Sequence, residues 1–176
     1  MRLLLVLALG STDAWVPGQR CATCGASHRH FDRRRSHSFA DLHTPFEGLY
    51  GSGSSRGDVV KDTLRLGEKA VVPGFVFALI TSETGDIPSF PTDGVLGLAF
   101  RGMSKIDDRR LPTLLDAMAK ATESPVFAFQ LTTTDDDAPS EFHFGGVDLS
   151  RVGAQPQIAY FPVLTLPSTF LWHNDH

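Results

Sequence analysis

Several groups of residues carry types and spacings that chemistry could use. Cys21-Ala22-Thr23-Cys24, with His28 and His30 close behind, brings together thiols and imidazoles, the ligand types that zinc prefers. Two cysteines in a CxxC and two crowded histidines do not reproduce the spacing of a standard finger, so no metal is assigned there. The run Gly51-Ser52-Gly53-Ser54-Ser55-Arg56-Gly57 resembles a phosphate-cradling loop, but it lacks GxGxxG spacing and a helical segment after it, which argues against a nucleotide. Arg56-Gly57-Asp58 matches an adhesion tripeptide made of common residues, a match that carries little weight. The acidic run Thr132-Thr133-Thr134-Asp135-Asp136-Asp137 lacks the spaced ligands and glycine turn of a calcium loop and reads as a hairpin tip.

The elements that would position these residues are mostly strands. Phe46–Tyr50 and Val59–Leu66 flank the glycine-rich tip and read as an antiparallel hairpin that stops at Gly67. Gly51, Gly53 and Gly57 permit positive φ and a sharp bend, and Tyr50 sets a large amphipathic side chain at the base. Such a hairpin serves as a lid. Ala70–Ile80 reads as a turn and a strand buried on both faces. Leu111, Leu114, Leu115 and Met118 recur at helical intervals after Pro112. Phe127, Phe129 and Leu131 alternate as in a strand, and Phe142-His143-Phe144 returns beside them.

With 176 residues, 41% hydrophobic and 20% charged, the chain predicts a single folded unit with a real core. Sixteen glycines and eleven prolines favour a β-rich architecture with many turns. A formal charge of −4 gives no basis for binding nucleic acid or an anionic membrane, and no partner of either kind is expected. The apolar run in Met1–Gly10 is too short to span a bilayer; it fits a signal-like segment or a first core strand, and the strand is the preferred reading. Arg33-Arg34-Arg35 reads as a solvated loop.

Four stretches occur in one order and at one approximate spacing: Gly10-Ser11-Thr12-Asp13-Ala14-Trp15-Val16-Pro17, the Tyr50 hairpin, Thr92-Asp93-Gly94-Val95-Leu96-Gly97-Leu98-Ala99-Phe100, and Phe144-Gly145-Gly146-Val147-Asp148. Together they resemble the amino-terminal lobe of pepsin-like aspartic proteases over nearly the whole chain. The resemblance implies a mainly β, pepsin-like acid protease lobe with antiparallel sheets, a flap hairpin and one or two short helices. On this reading residues 1–176 form a single incomplete domain in which the second lobe is absent. Leu96 and Leu98 become packing residues and Asp93 a structural one. The Cys21–Cys24 pair matches a small disulfide loop of the family, and Tyr160-Phe161-Pro162-Val163 matches its strand toward the sheet between lobes.

The family's chemistry needs two aspartates, one from each lobe, close enough to share a proton. The first belongs to an Asp-Thr-Gly-Ser motif, and the matching residues here are Ala8-Leu9-Gly10-Ser11. Gly10 and Ser11 remain as a motif remnant, but Ala8 supplies no carboxylate and Leu9 no hydroxyl. A homodimer would bring Ala8 twice, and Asp13 matches a polar residue past the turn. The resemblance implies an aspartic endopeptidase, here in a truncated form without competence of its own. The alternative is a non-catalytic peptide-binding or protein-interaction module. Tyr50, Gly51, Ser52 and Gly53 would line the substrate side of the flap, with Trp15 as support. The implied partners are a peptide or protein substrate and a carboxy-terminal lobe, without cofactor or metal, in a secreted or endolysosomal/vacuolar compartment.

Overall fold

A computed structural model describes residues 2–67, 70–106, 111–133, 139–151 and 159. The Tyr160–Val163 strand expectation and most of the acidic tip at 134–137 lie outside those residues. Among the described residues the architecture is mainly β with one α-helix, as the resemblance implies. Strands β1 (Leu5–Ala8), β2 (Trp15–Pro17), β3 (Ala40–Tyr50), β4 (Gly53–Leu66), β5 (Ala70–Glu83) and β6 (Gly94–Gly97) form one sheet in the order β1-β6-β2-β5-β4-β3. Strands β7 (Phe127–Gln130) and β8 (Glu141–Phe144) form a separate antiparallel pair.

The large sheet is mixed. β3, β4 and β5 run antiparallel, whereas β1 with β6 and β2 with β5 run parallel. β6 inserts between β1 and β2, parallel to the first and antiparallel to the second. Asp93 fixes that insertion: its carboxylate accepts the Leu4 and Arg29 amides at 2.7 Å each, and its own amide donates to the Leu4 carbonyl. Asp93 is therefore structural, and Leu96 and Leu98 behind it are buried.

Period-two alternation gives the sheet two apolar faces. Val16, Val60, Phe75, Phe77, Leu96 and Leu98 enter one cluster, while their neighbours Trp15, Val59, Val76, Ala78, Ile80 and Val95 enter another. β5 is thus buried on both sides, the arrangement that its unbroken apolar run requires. Helix α1 (Leu114–Ala121) covers the first cluster with Leu114 and Met118. Its start is fixed by a capping box: Thr113 Oγ1 accepts the Asp116 amide at 3.2 Å, and Asp116 accepts the Thr113 amide at 2.8 Å. The second cluster lies under the disulfide loop, the 3₁₀ turn Ile87–Ser89 and Tyr50. Cys21 and Cys24 are bonded and buried, so neither sulfur is available as a thiolate ligand for zinc.

Candidate functional site

The loop from Leu9 to Ala14 joins β1 to β2 around the inserted β6, and backbone bonds hold it to the end of that strand. The Ala8 carbonyl accepts the Leu98 amide at 2.8 Å, and the Ser11 carbonyl accepts the Ala99 amide at 2.9 Å. Thr12 Oγ1 donates to the Phe100 carbonyl at 2.5 Å. Gly97 permits this contact, since a Cβ there would lie 2.3 Å from the Thr12 carbonyl carbon. Ala8 therefore ends β1 at the foot of the loop, packed against the cluster that contains Trp15. Gly10 is exposed in the turn, and Ser11 is half-buried.

Alternation along β2 buries Trp15 to 3% exposure on the flap side of the sheet. Its indole Nε1 donates to Tyr50 Oη at 2.8 Å, and the rings sit 6.3 Å apart at 51°. Tyr50 comes from the end of β3, where it pairs with Gly53 across the Gly51–Ser52 turn. Burial pushes the Tyr50 phenol above its ordinary value and the charge of Asp13 adds to this, against hydrogen bonds from Ser11 and Trp15. The phenol thus stays protonated, held between Trp15 and Ser11. The structure brings together Ala8, Ser11, Trp15 and Tyr50.

The three tip glycines do different work. Gly53 has φ 144°, and a Cβ there would lie 2.1 Å from the Thr84 carbonyl oxygen. Gly57 sits at the bulge where β4 meets β5, with the Leu79 carbonyl oxygen 2.1 Å from where a Cβ would be. Gly51 is exposed and unconfined. The flap tip is braced by residues 84–86, a contact that the sequence reading did not anticipate. The Ser52 carbonyl accepts the Asp86 amide at 2.8 Å and the Ser54 carbonyl the Thr84 amide at 2.9 Å. The Thr84-Gly85-Asp86 turn was the available signal, but nothing local says what it touches.

Asp13 is the carboxylate closest in sequence to Ala8, and its oxygens are already engaged. It is buried, accepting Ser104 Oγ at 2.5 Å and the Lys105 amide at 2.6 Å. Burial raises its proton affinity, opposed by those two hydrogen bonds and the Lys105 charge. Its role in the fold is to pin the 104–106 segment beneath the loop. Arg56 does not present a free tripeptide: it pairs with Glu47 on the opposite strand at 2.7 Å.

A mixed sheet with a strand inserted beside a Gly-Ser turn, and a tyrosine-bearing hairpin folded onto a tryptophan next to that turn, is the architecture of a pepsin-like lobe. The sequence model of the eukaryotic aspartyl protease family matches residues 2–175. Pregnancy-associated glycoprotein 2 of Bos taurus is 38% identical over 149 residues, which cover 82% of this chain and 38% of that protein. The vacuolar aspartic protease of Candida albicans is 34% identical over 164 residues, covering 90% of this chain and 38% of the relative. Aspartic protease 6 of Caenorhabditis elegans is 30% identical over 168 residues, 91% of this chain and 42% of the relative. The chain belongs to the eukaryotic aspartyl protease family. It spans about two fifths of the length of these curated relatives. Among the described residues no helix is long and apolar enough to cross a membrane.

Proposed function

We propose that this chain provides the flap-bearing amino-terminal lobe of an aspartic-type endopeptidase, holds an extended peptide beneath the flap, and does not hydrolyse peptide bonds by itself. The observation that carries the reading is the Trp15–Tyr50 hydrogen bond of 2.8 Å, which closes the hairpin beside a loop whose foot is Ala8. Hydrolysis needs one carboxylate as base and another as acid. Ala8 offers none, and Asp13 is held by Ser104 and Lys105. A second lobe carrying its own aspartate is the proposed partner of this half.

A peptide would lie along the flap and bond its backbone. The Ser52 carbonyl is taken by Asp86, which leaves the amides of Gly51 and Ser52 as the proposed donors. The disulfide and the vacuolar relative support a secreted or vacuolar compartment. A second reading, a peptide-binding module that never acts in hydrolysis, is favoured by the same alanine.

Incubation of the full chain with a quenched-fluorescence peptide library tests turnover, and calorimetry with an uncleaved extended peptide tests binding. No turnover and binding weakened by Tyr50→Phe are expected. Turnover that disappears in Asp13→Asn would overturn the inactive reading, and absence of binding would overturn the peptide site.

A further inference from the structure

The disulfide loop, β4 and the end of β5 enclose a polar cluster that the flap reading does not use. His28 and Glu83 have side chains only 3% and 0% exposed, with Nδ1 3.9 Å from Oε2. His28 Nε2 lies 2.9 Å from the Phe90 carbonyl oxygen. A carbonyl only accepts, so Nε2 carries a hydrogen, and in the neutral ring Nδ1 is then a bare lone pair. That lone pair faces a carboxyl group whose oxygens accept no well-formed hydrogen bond, with only the Gly25 amide turned toward it, and the Ser55 Oγ on the paired strand has no partner either. A carboxylate against a lone pair, away from water, is an uncompensated buried charge. One additional proton removes the conflict, whichever of the two groups carries it.

We propose that the His28–Glu83 pair binds one proton, which draws the two side chains together from 3.9 Å, and that this proton latches the Cys21–Cys24 loop to the base of the flap hairpin. The loop is already pressed onto this point. Thr23 Oγ1 accepts the Glu83 amide at 2.8 Å, and a Cβ at Gly25 would lie 2.0 Å from the Pro88 carbonyl oxygen and 3.0 Å from the His28 ring. Glu83 pairs with Ser55 of β4, and residues 84–86 continue directly into the bonds that brace Ser52 and Ser54. The path from latch to flap tip is therefore contiguous.

His28 is the titratable group facing Glu83 among the described residues. From β4 comes the Ser55 hydroxyl, while Arg56 reaches outward to Glu47. From the disulfide loop come Thr23, the Gly25 backbone and His28; Arg29 turns its guanidinium to the Arg2 carbonyl. The Ile87–Ser89 turn adds the Phe90 carbonyl, and Asp86 before it is exposed. Burial raises the proton affinity of Glu83, opposed by His28 and the Gly25 amide. A carboxyl raised above its unfolded value stabilises the fold in acid, and that contribution is lost as pH rises through the folded value. The latch closes in acid and releases on the alkaline side.

The flap consequence rests on the flap reading, but the latch is read without peptide, so the failures of the two can be told apart. In the full chain, His28 ¹⁵N shifts and the exchange of the Thr84 and Asp86 amides are followed from about pH 4 to about pH 8, which brackets ordinary Glu and His values. Intrinsic rates are divided out. A shared midpoint, with about a tenfold loss of protection above it, is expected. Glu83→Gln donates to Nδ1 without titrating and should flatten the profile. Protection that does not follow His28, or that changes equally in Glu83→Gln, overturns the latch. If Glu83→Gln does not fold, coincidence or separation of the two wild-type midpoints decides.

Discussion

Asp62 and Glu83 are both buried carboxyl groups on neighbouring strands, yet their surroundings move them in opposite directions. Asp62 accepts Ser36 Oγ at 2.8 Å, the Thr63 amide at 2.7 Å, and a short hydrogen bond from Ser38 Oγ. Burial alone would raise it, but those bonds from Ser38, Ser36 and Thr63 outweigh burial and hold it below the ordinary aspartate range. Glu83 has a histidine at 3.9 Å and only the Gly25 amide turned toward it, with no well-formed hydrogen bond to either oxygen, and burial prevails. The number of donors aimed at the carboxylate decides which effect wins. One region is a closed structural knot that fixes the 36–38 loop to β4. The other is an incomplete site, and it stands at the root of the flap.

The largest effect should come from breaking the satisfied knot. Asp62→Ala leaves two hydroxyls and an amide without their acceptor, and a loss of about 3 kcal/mol is expected in urea unfolding near neutral pH. Glu83→Gln under the same conditions should be neutral or stabilising, because it removes a buried charge and keeps the shape. Equal losses in the two variants would show that burial, not pairing, sets their worth.

The pH profile sharpens the same contrast. The Asp62 contribution is fully present above the unfolded aspartate value of about 3.9 and is lost as pH falls through its lower folded value. The Glu83 contribution is present below about 4.3 and is lost as pH rises through its raised folded value. The acid limb of stability should therefore shrink in Asp62→Asn, with Asp116 keeping part of it, and the alkaline limb should shrink in Glu83→Gln, with Asp13 keeping part of it. A common response of both limbs to either substitution would contradict the separation.

Much of the framework could be read from residue order. The hairpin around Gly51 and Ser52, the buried run of β5, and the helix after Pro112 all carry local signatures. The Trp15 and Tyr50 contact followed from the resemblance. Neither β6 between β1 and β2 nor the polar networks could be read in this way, because their partners are distant: Ser36 and Asp62 lie 26 positions apart, and Thr23 and Glu83 lie 60 apart. Serine and threonine are common enough that nothing local distinguishes a donor to a buried carboxylate from a surface hydroxyl. His28 was visible only as one of two crowded imidazoles beside the cysteines, and its position facing Glu83 exists only once β5 has paired with β4.

Asp116 offers a third carboxyl in which a local motif supplies the donors. The Thr113 hydroxyl and amide and the Arg101 guanidinium all meet it, and together they hold it below its ordinary value against partial burial. Thr113→Ala removes the cap side chain that accepts the Asp116 amide and should cost about 1 kcal/mol. Because the cap is local to α1, thermal unfolding should shift while the exchange of Thr84 and Asp86 amides stays as in the parent. A parallel loss of flap protection would mean that the two faces of the sheet are coupled.

The smallest effect belongs to the exposed carboxylate on the flap itself. Glu47 accepts Arg56 Nε at 2.8 Å and Nη2 at 2.7 Å across β3 and β4, a geometry closer than anything Glu83 makes. The side chains are 47% and 62% exposed, so water solvates both partners once the pair is broken. Exposed pairs of this kind contribute about 0.2–1 kcal/mol, screened by salt. Arg56→Ala should therefore shift the unfolding midpoint only slightly, and the shift should shrink further as salt is raised. Asp62→Ala, which removes a buried acceptor from Ser36, Ser38 and Thr63, should keep most of its effect in salt. A salt-insensitive loss at Arg56 as large as that at Asp62 would mean that the flap strands depend on this pair for their register. Burial would then no longer separate structural carboxylates from solvated ones in this fold.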